Sequence, residues 1–249
     1  CIRDRCYVLL PSMANGCFFF LHENKFLTPL ILWLAFALEK NKWIPSVIFT
    51  LLLLAVKEDA PVYAAVLGLY FIVSRRNISK GALVFVLSII YFITVSYFMS
   101  KYGLGTMSYR YDNFIYDGSG SLFTVIKAVI LNPIYTVHEA FDEEKIKFIL
   151  QMLVPLAFMP LMIKKPSRII LLIPFILLNL MSDYTYQHNI NFQYTYGSAA
   201  FLFYLMILNY QDMKPGFRCK VLAVAATSSI FMFMCNTYYR TSGYESYKT

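Results

Sequence analysis

Charge is scarce in this chain: Asp, Glu, Lys and Arg make up 14% of its 249 residues, against roughly 25% in an ordinary soluble domain. Hydrophobic residues make up 59%, and apolar segments recur from end to end with only short polar breaks. This excludes a soluble domain carrying one anchor and points to a single integral membrane domain over residues 1–249. Cysteine forms no motif. Cys1, Cys6, Cys17, Cys219 and Cys235 show no CxxC or Cys/His ligand spacing, so neither a disulfide framework nor a zinc site is implied. A Walker loop, a dinucleotide fingerprint and a GxSxG elbow are all missing, which removes the commonest nucleotide and hydrolase chemistries. No Asp, Glu, Lys or Arg falls mid-span, where a coupled transporter would hold its ions.

The chain opens on Cys1, and "CIRDRC" has no small-residue cleavage pattern; it reads as part of a longer protein. The formal net charge is +8. On a soluble protein that would suggest a nucleic-acid partner, but here the basic residues are scattered among short loops, so none is expected.

Nine spans are expected: Tyr7 to Leu21, Phe26 to Leu38, Trp43 to Val56, Ala60 to Ser74, Ala82 to Ser100, Lys147 to Ile163, Arg168 to Ser182, Gly197 to Tyr210 and Lys220 to Asn236. Several have only 13 to 15 residues, short of the roughly 20 that cross hydrocarbon, so their ends extend into polar flanks or the bilayer thins around them. With the N-terminus inside, the inner loops hold 13 of the 22 basic residues and only 3 of the 14 acidic ones, as the positive-inside rule requires. The count needs Ser121 to His138 not to cross. There Leu122, Phe123, Ile126, Val129 and Ile130 repeat at helical spacing, Thr124 and Lys127 face elsewhere, and Asn132-Pro133 breaks the pattern. An amphipathic helix on the outer surface fits. The fold class is thus an all-α polytopic membrane protein of about nine transmembrane helices plus one interfacial helix. The N-terminus is expected to be cytoplasmic, and the polar loops and C-terminal tail extracytoplasmic.

The inner loops are terse and basic, which topology and lipid headgroups explain. The outer loops hold all three histidines and most of the carboxylates, so chemistry is expected there. In "LLLLAVKEDAPVYAAVLGLY" the null explanation of Lys57, Glu58 and Asp59 is a turn between two spans. Asp59 would cap the second helix, Pro61 would start it, and Lys57 would complement the dipole of the first. The functional alternative is a pair of carboxylates that orient a hydroxyl or take its proton, beside a cation that holds a phosphate. Near the start, Glu23 or Asn24 suits a cap, while His22 has no evident structural duty. "YQHNINFQYTY" is the richest polar stretch. An aromatic belt explains its tyrosines but not Gln187, His188, Asn189, Asn191 and Gln193, a density that suits sugar hydroxyls, with Tyr194 offering a ring face. No HxxH or HxxxH spacing supports a divalent metal.

Four stretches carry a resemblance: "GCFFFLHENKFLTPLILWL", "KWIPSVIFTLLLLAVKEDAPVYAAVLGLY", "YRYDNF" and "NLMSDYTYQHNINFQYTYGSAAFLFYL". From about His22 to Tyr210 the sequence resembles the bacterial membrane-protein family called domain of unknown function 2079. That family is similar to GT-C glycosyltransferases, polytopic enzymes that take a sugar from a polyprenyl-phosphate donor at the extracytoplasmic face. The resemblance implies a plasma-membrane protein whose partners are membrane lipids, a polyprenyl-phosphate sugar and an extracytoplasmic acceptor, with no cofactor. Lys57 or Arg110 would hold the lipid phosphate; His22, Glu58, Asp59, Gln187 and His188 would line the sugar end, with Glu23, Gln193 and Tyr194 beside them. Many members have a His-Tyr pair where this chain has Gln193-Tyr194. The resemblance places the main catalytic acid in a first large outer loop, upstream of Cys1, so the chain is expected to be the C-terminal part of the membrane region, inactive alone. The competing reading is a non-enzymatic permease or ligand-binding scaffold with a polar site on its outer face.

Overall fold

A computed structural model describes residues 10–17, 22–102, 107–115 and 122–245. The first expected span is therefore described only over residues 10–17, which hold a short helix α1 (Pro11–Cys17). Cys1, Cys6, the side chain of Cys17, parts of the long outer loop and the last four residues lie outside the described residues. Among the described residues all regular structure is helical. The α-helices that follow are α2 (Leu27–Glu39), α3 (Trp43–Leu54), α4 (Ala60–Val73), α5 (Ile78–Lys101), α6 (Leu122–Leu131), α7 (Pro133–Ala140), α8 (Glu143–Leu153), α9 (Tyr196–Gln211) and α10 (Pro215–Glu245).

Local chemistry sets many of these ends. After α2 the chain reverses at Asn41, whose φ of 56° is a left-handed conformation that Asn tolerates better than most residues. Pro61 sits in the first turn of α4, where its missing N–H has no helical partner to lose. Asp142 caps α8 by accepting a hydrogen bond from the Lys145 backbone N–H at 2.8 Å, with Glu143 and Glu144 in the first turn complementing the dipole.

Among the described residues two helices are long and apolar enough to cross a membrane unaided, α5 with 24 residues and the 21 residues Pro215–Cys235 of α10. Both lie largely outside the packed interior: Ile93 is 62% exposed and Phe231 64%, as expected of surfaces that face lipid. Two expected spans are not regular α-helices. Lys147 to Ile163 starts as α8 but breaks into 3-10 turns around Pro155 and Pro160, with Ala157 and Phe158 left-handed, because each proline removes a backbone donor from the helix. Arg168 to Ser182 is a 3-10 helix (Pro166–Leu172) followed by a π-helical stretch (Phe175–Leu180). The surface segment is two helices, α6 and α7, hinged at Asn132. In α6, Val125, Ala128 and Thr124 turn inward while Ile126 and Ile130 are exposed. Thr124 therefore belongs to the packed face, and of the expected apolar stripe Ile126 and Ile130 face outward while Val129 packs partly against the interior; Leu122 and Phe123 lie outside the described side chains.

The interior is organised around α9, which is buried on nearly every side. Against one flank pack Leu34 of α2 and Phe71 of α4 with Phe201 and Leu205. The other flank, with Leu202 and Met206, takes Met152, Met159 and Phe175. Helices α4 and α5 pack backbone to backbone where Gly68 and Gly81 let them touch. A Cβ on Gly68 would lie 2.7 Å from the Gly81 carbonyl oxygen and 2.8 Å from the Phe85 nitrogen. Backbone cannot swing aside as a side chain can. Gly68→Leu is thus expected to cost about 1–3 kcal/mol by overpacking, read as a lower midpoint in denaturant titration of the detergent-solubilised protein. Gly216→Ala, where a Cβ meets nothing within 4 Å, should leave the midpoint unchanged.

The polar side chains gather at two ends of this bundle. At one end Arg76 pairs with Glu39, the Tyr204 hydroxyl donates to Glu39 at 2.7 Å, and the Asn77 amide donates to the Leu38 carbonyl at 3.1 Å. The buried Arg168 pairs there with Asp212 at 2.6 Å and donates to Asn209 at 2.9 Å. The loops at 22–25, 57–59, 107–115 and 182–196 meet at the other end.

Candidate functional site

At this second end Arg110 is the hub. It lies in a 3-10 segment, Met107–Phe114, that is kinked at Tyr111 and tied down through the Arg110 carbonyl, which accepts from the Asp183 backbone N–H at 2.8 Å and from the Ser182 hydroxyl at 3.1 Å. The guanidinium, 5% exposed as a side chain, stands 3.4 Å from both Glu58 Oε1 and Asp59 Oδ2. The Gln187 amide completes the set: in the orientation assigned from its neighbours, its oxygen accepts from Arg110 Nη1 at 2.9 Å while its nitrogen donates to the Leu178 carbonyl at 3.3 Å. Tyr109 and Tyr194 supply ring faces, with the guanidinium carbon 5.6 and 5.7 Å from their centroids.

Asp59 sits at the start of α4, but its side chain makes no cap hydrogen bond. The expected capping role is therefore not fulfilled: the carboxylate turns to Arg110 instead. Burial pushes its pKa above the ordinary carboxylate value, although Lys57 and Arg110 pull it down and Glu58 adds to the rise. Oδ1 is buried with no hydrogen-bond partner. One turn further on, the Tyr63 ring packs onto Gly197, where a Cβ would lie 2.2 Å from the ring. The absent side chain leaves room for that ring between α4 and α9. Tyr111, buried beside the site, is pushed up to about 12, mainly by burial and further by Asp59 against the opposing Arg110 charge; its hydroxyl donates to the Leu177 carbonyl at 3.2 Å.

Lys57 lies beyond the last turn of α3, not at its dipole. Its ammonium stands 5.0 Å over the Tyr194 ring, and its one ion pair among the described residues is a loose 3.8 Å contact with Glu23, half of whose side chain is exposed. His22 does have a structural duty: Nδ1 accepts from the Asn24 backbone N–H at 3.4 Å and so caps the 3-10 turn Glu23–Phe26. It also lies 3.2 Å from Glu23 and meets Tyr194 edge-on at 6.5 Å. His22, Glu23, Lys57, Glu58, Asp59, Arg110, Gln187 and Tyr194 thus form one connected cluster.

His188 and Gln193 stand apart from it. His188 turns toward the start of α8, with Nε2 3.8 Å from Glu144. Burial lowers its pKa and Lys145 adds to that, against Asp142, Glu144 and Asp183. Gln193 is buried with Oε1 unpartnered. Sequence reasoning passed over Tyr109, Ser182 and Asn179. The "YRY" triplet was the available signal for the first. Asn179 looked like an ordinary span residue, yet its amide donates to the Gln187 carbonyl and its oxygen accepts from Ser198. Among the described residues no group of three His, Cys, Asp or Glu side chains converges as a metal site would require.

What the arrangement offers is a partly shielded cation over a ring, two carboxylates of which one is buried and under-bonded, and an aromatic wall, all at one end of an apolar bundle. No curated protein and no solved structure gives a match to this chain. The family model described as Predicted membrane protein (DUF2079) matches residues 4–246, and with nearly the whole length covered the chain belongs to that family.

Proposed function

We propose that this chain carries the donor end of a GT-C-like glycosyltransferase, which takes a sugar from a polyprenyl phosphate at the extracytoplasmic face of a bacterial plasma membrane. In this reading the bundle crosses the membrane nine times with its N-terminus cytoplasmic, and α6 and α7 lie in the outer leaflet with Ile126, Ile130 and Ile134 in lipid. Charge distribution supports the orientation. Contacts between alternate loops at each end support the threading.

The observation that carries the proposal is Lys57. Arg110 is committed to Glu58, Asp59 and Gln187, whereas Lys57, over the Tyr194 ring, has as its ion pair among the described residues a long contact to Glu23. A phosphate arriving at the membrane boundary meets that ammonium first and replaces Glu23 at little cost. Asp59, with Oδ1 unpartnered, is placed to orient an acceptor hydroxyl. Gln187, His22 and Tyr194 fix the walls between them.

The test is binding of farnesyl phosphate, as a short polyprenyl phosphate, to the intact protein in nanodiscs. Lys57→Met should weaken it by roughly tenfold or more, the loss of one charged hydrogen bond. In proteoliposomes the protein should also consume a polyprenyl-phosphate sugar. Solute uptake without farnesyl phosphate binding would sink the proposal in favour of a permease.

A further inference from the structure

Away from the Arg110 cluster, four cations gather on one turn of the chain. Helix α9 has 16 residues, a rise of about 24 Å at 1.5 Å per residue, and its far end runs into residues 211–213. Arg168 Nη1 stands 2.6 Å from Asp212 Oδ2 and donates to Asn209 at 2.9 Å. Arg218 donates from Nε to the Met213 carbonyl at 2.8 Å and from Nη2 to the Gln211 carbonyl at 2.6 Å. Lys164 Nζ donates to the Asp212 carbonyl at 2.6 Å, and Lys165 Nζ lies 3.8 Å from Asp212 Oδ1.

The two arginines serve the fold. Arg168 is buried against Asp212 and Asn209, and Arg218 meets carbonyls that the end of α9 leaves without helical donors. The two lysines are different. Both are exposed, Lys165 over 59% of its side chain. An ammonium carries three donors, and Lys164 places one of them on a carbonyl, which has no net charge to neutralise it. Asp212 is already engaged by Arg168 at the shorter distance. Four positive charges therefore face one carboxylate here, and a second carboxylate at this end, Glu39, is held by Arg76 and the Tyr204 hydroxyl.

The residues next to these cations in the chain are apolar and open to the surroundings. Leu161 and Met162 precede the lysines, Ile169 follows Arg168 and Phe217 precedes Arg218; they are 49%, 39%, 56% and 50% exposed. A soluble anion has no use for them. A phospholipid does, because its phosphate and the start of its acyl chains lie at the membrane boundary, where lysine ammoniums and apolar side chains find partners together. We propose that Lys164 and Lys165 bind the phosphate of an anionic phospholipid, with Leu161, Met162, Ile169 and Phe217 against its chains. A zwitterionic lipid is the poorer ligand, since the surplus positive charge repels its ammonium. This site is separate from the polyprenyl-phosphate end proposed above and does not depend on it; in the threading given there it falls in the cytoplasmic leaflet.

The experiment follows thermal unfolding of the intact protein in a neutral detergent, titrated with dioleoyl phosphatidylglycerol, with dioleoyl phosphatidylcholine or with inorganic phosphate. Phosphatidylglycerol should raise the midpoint saturably, and the other two should not. Lys165→Met should raise the half-saturating phosphatidylglycerol concentration by roughly fivefold, the usual scale for one lysine at an anionic headgroup, and Lys164→Met with Lys165→Met by roughly 25-fold. The lipid-free midpoint should stay close to wild type, because both side chains are exposed. Lys42→Met removes an equal charge from another loop at the same end and should leave the response unaltered. Equal responses to phosphatidylcholine, a wild-type response in the double variant, or an equal loss with Lys42→Met would overturn the site, the last by showing diffuse attraction to the membrane surface. An equal shift with inorganic phosphate would overturn the lipid in favour of a free anion. Lys57→Met should also leave the response intact; its loss there would move the lipid to the Arg110 end and overturn this assignment.

Discussion

Asp59→Asn is expected to cut polyprenyl-phosphate-dependent transfer by at least about a hundredfold, the usual scale for losing a positioned proton acceptor or misplacing a reacting group. Folding should be nearly unaffected. Asn keeps the size and one acceptor, removes a buried charge, and leaves Arg110 with Glu58 and Gln187 as partners. The pH profile separates this from a merely structural effect. Because burial holds the Asp59 carboxyl above the ordinary range, the ionised form is lost as pH falls through that raised value, and wild-type transfer should fall with it. Residual transfer by Asp59→Asn should lack this acid limb. Wild-type turnover from the variant would remove Asp59 from the site.

Arg110→Met should be strongly destabilising. It leaves Glu58 and Asp59 side by side with their central cation gone, and removing one partner of a buried ion pair costs about 3–5 kcal/mol. The lower end is the better expectation here. Both contacts are 3.4 Å, longer than the 2.7–2.9 Å of strong charge-assisted bonds, and Glu58 keeps a quarter of its side chain exposed. The loss should depend on pH. Without Arg110 the folded-state pKa of Asp59 rises further above its unfolded value, so the penalty grows as pH rises through that interval and shrinks in acid, where the carboxyl is neutral in both states. Adding Asp59→Asn to Arg110→Met should restore most of the stability at neutral pH. Additive losses in the double variant would show that the two side chains are not coupled.

What could be read in the chain followed from local pattern. Apolar runs located α2 through α5, α9 and α10, and the charges of Lys57, Glu58 and Asp59 between two such runs marked a turn at one end of the bundle. Asn132-Pro133 marked the hinge between α6 and α7. Pro155 and Pro160 were equally visible, but the hydrophobicity around them masked a broken helix as a continuous span. The misassigned roles all depend on long-range partners. Asp59 looked like a cap because its spacing suits one, and Arg110, 51 residues away, claimed its carboxylate. His22 seemed idle because its acceptor role needs the local turn to form. His188 and Gln187 are neighbours in sequence, yet a single 3-10 turn points one at Arg110 and the other at Glu144. No periodicity encodes that divergence.

The anchoring of Arg110 has a consequence for biosynthesis. Its carbonyl is held by Ser182, 72 residues downstream, and its side chain by Gln187, while Asp59 lies well upstream. During synthesis Glu58, Asp59 and Arg110 all emerge before the segment that holds the Arg110 carbonyl and meets its side chain. The cluster closes when the 182–196 segment arrives, just before α9 inserts between the two flanks of the core. The polar end can be complete only once the 182–196 segment has been made, and a nascent chain halted before Ser182 carries the charges of the site without that tether.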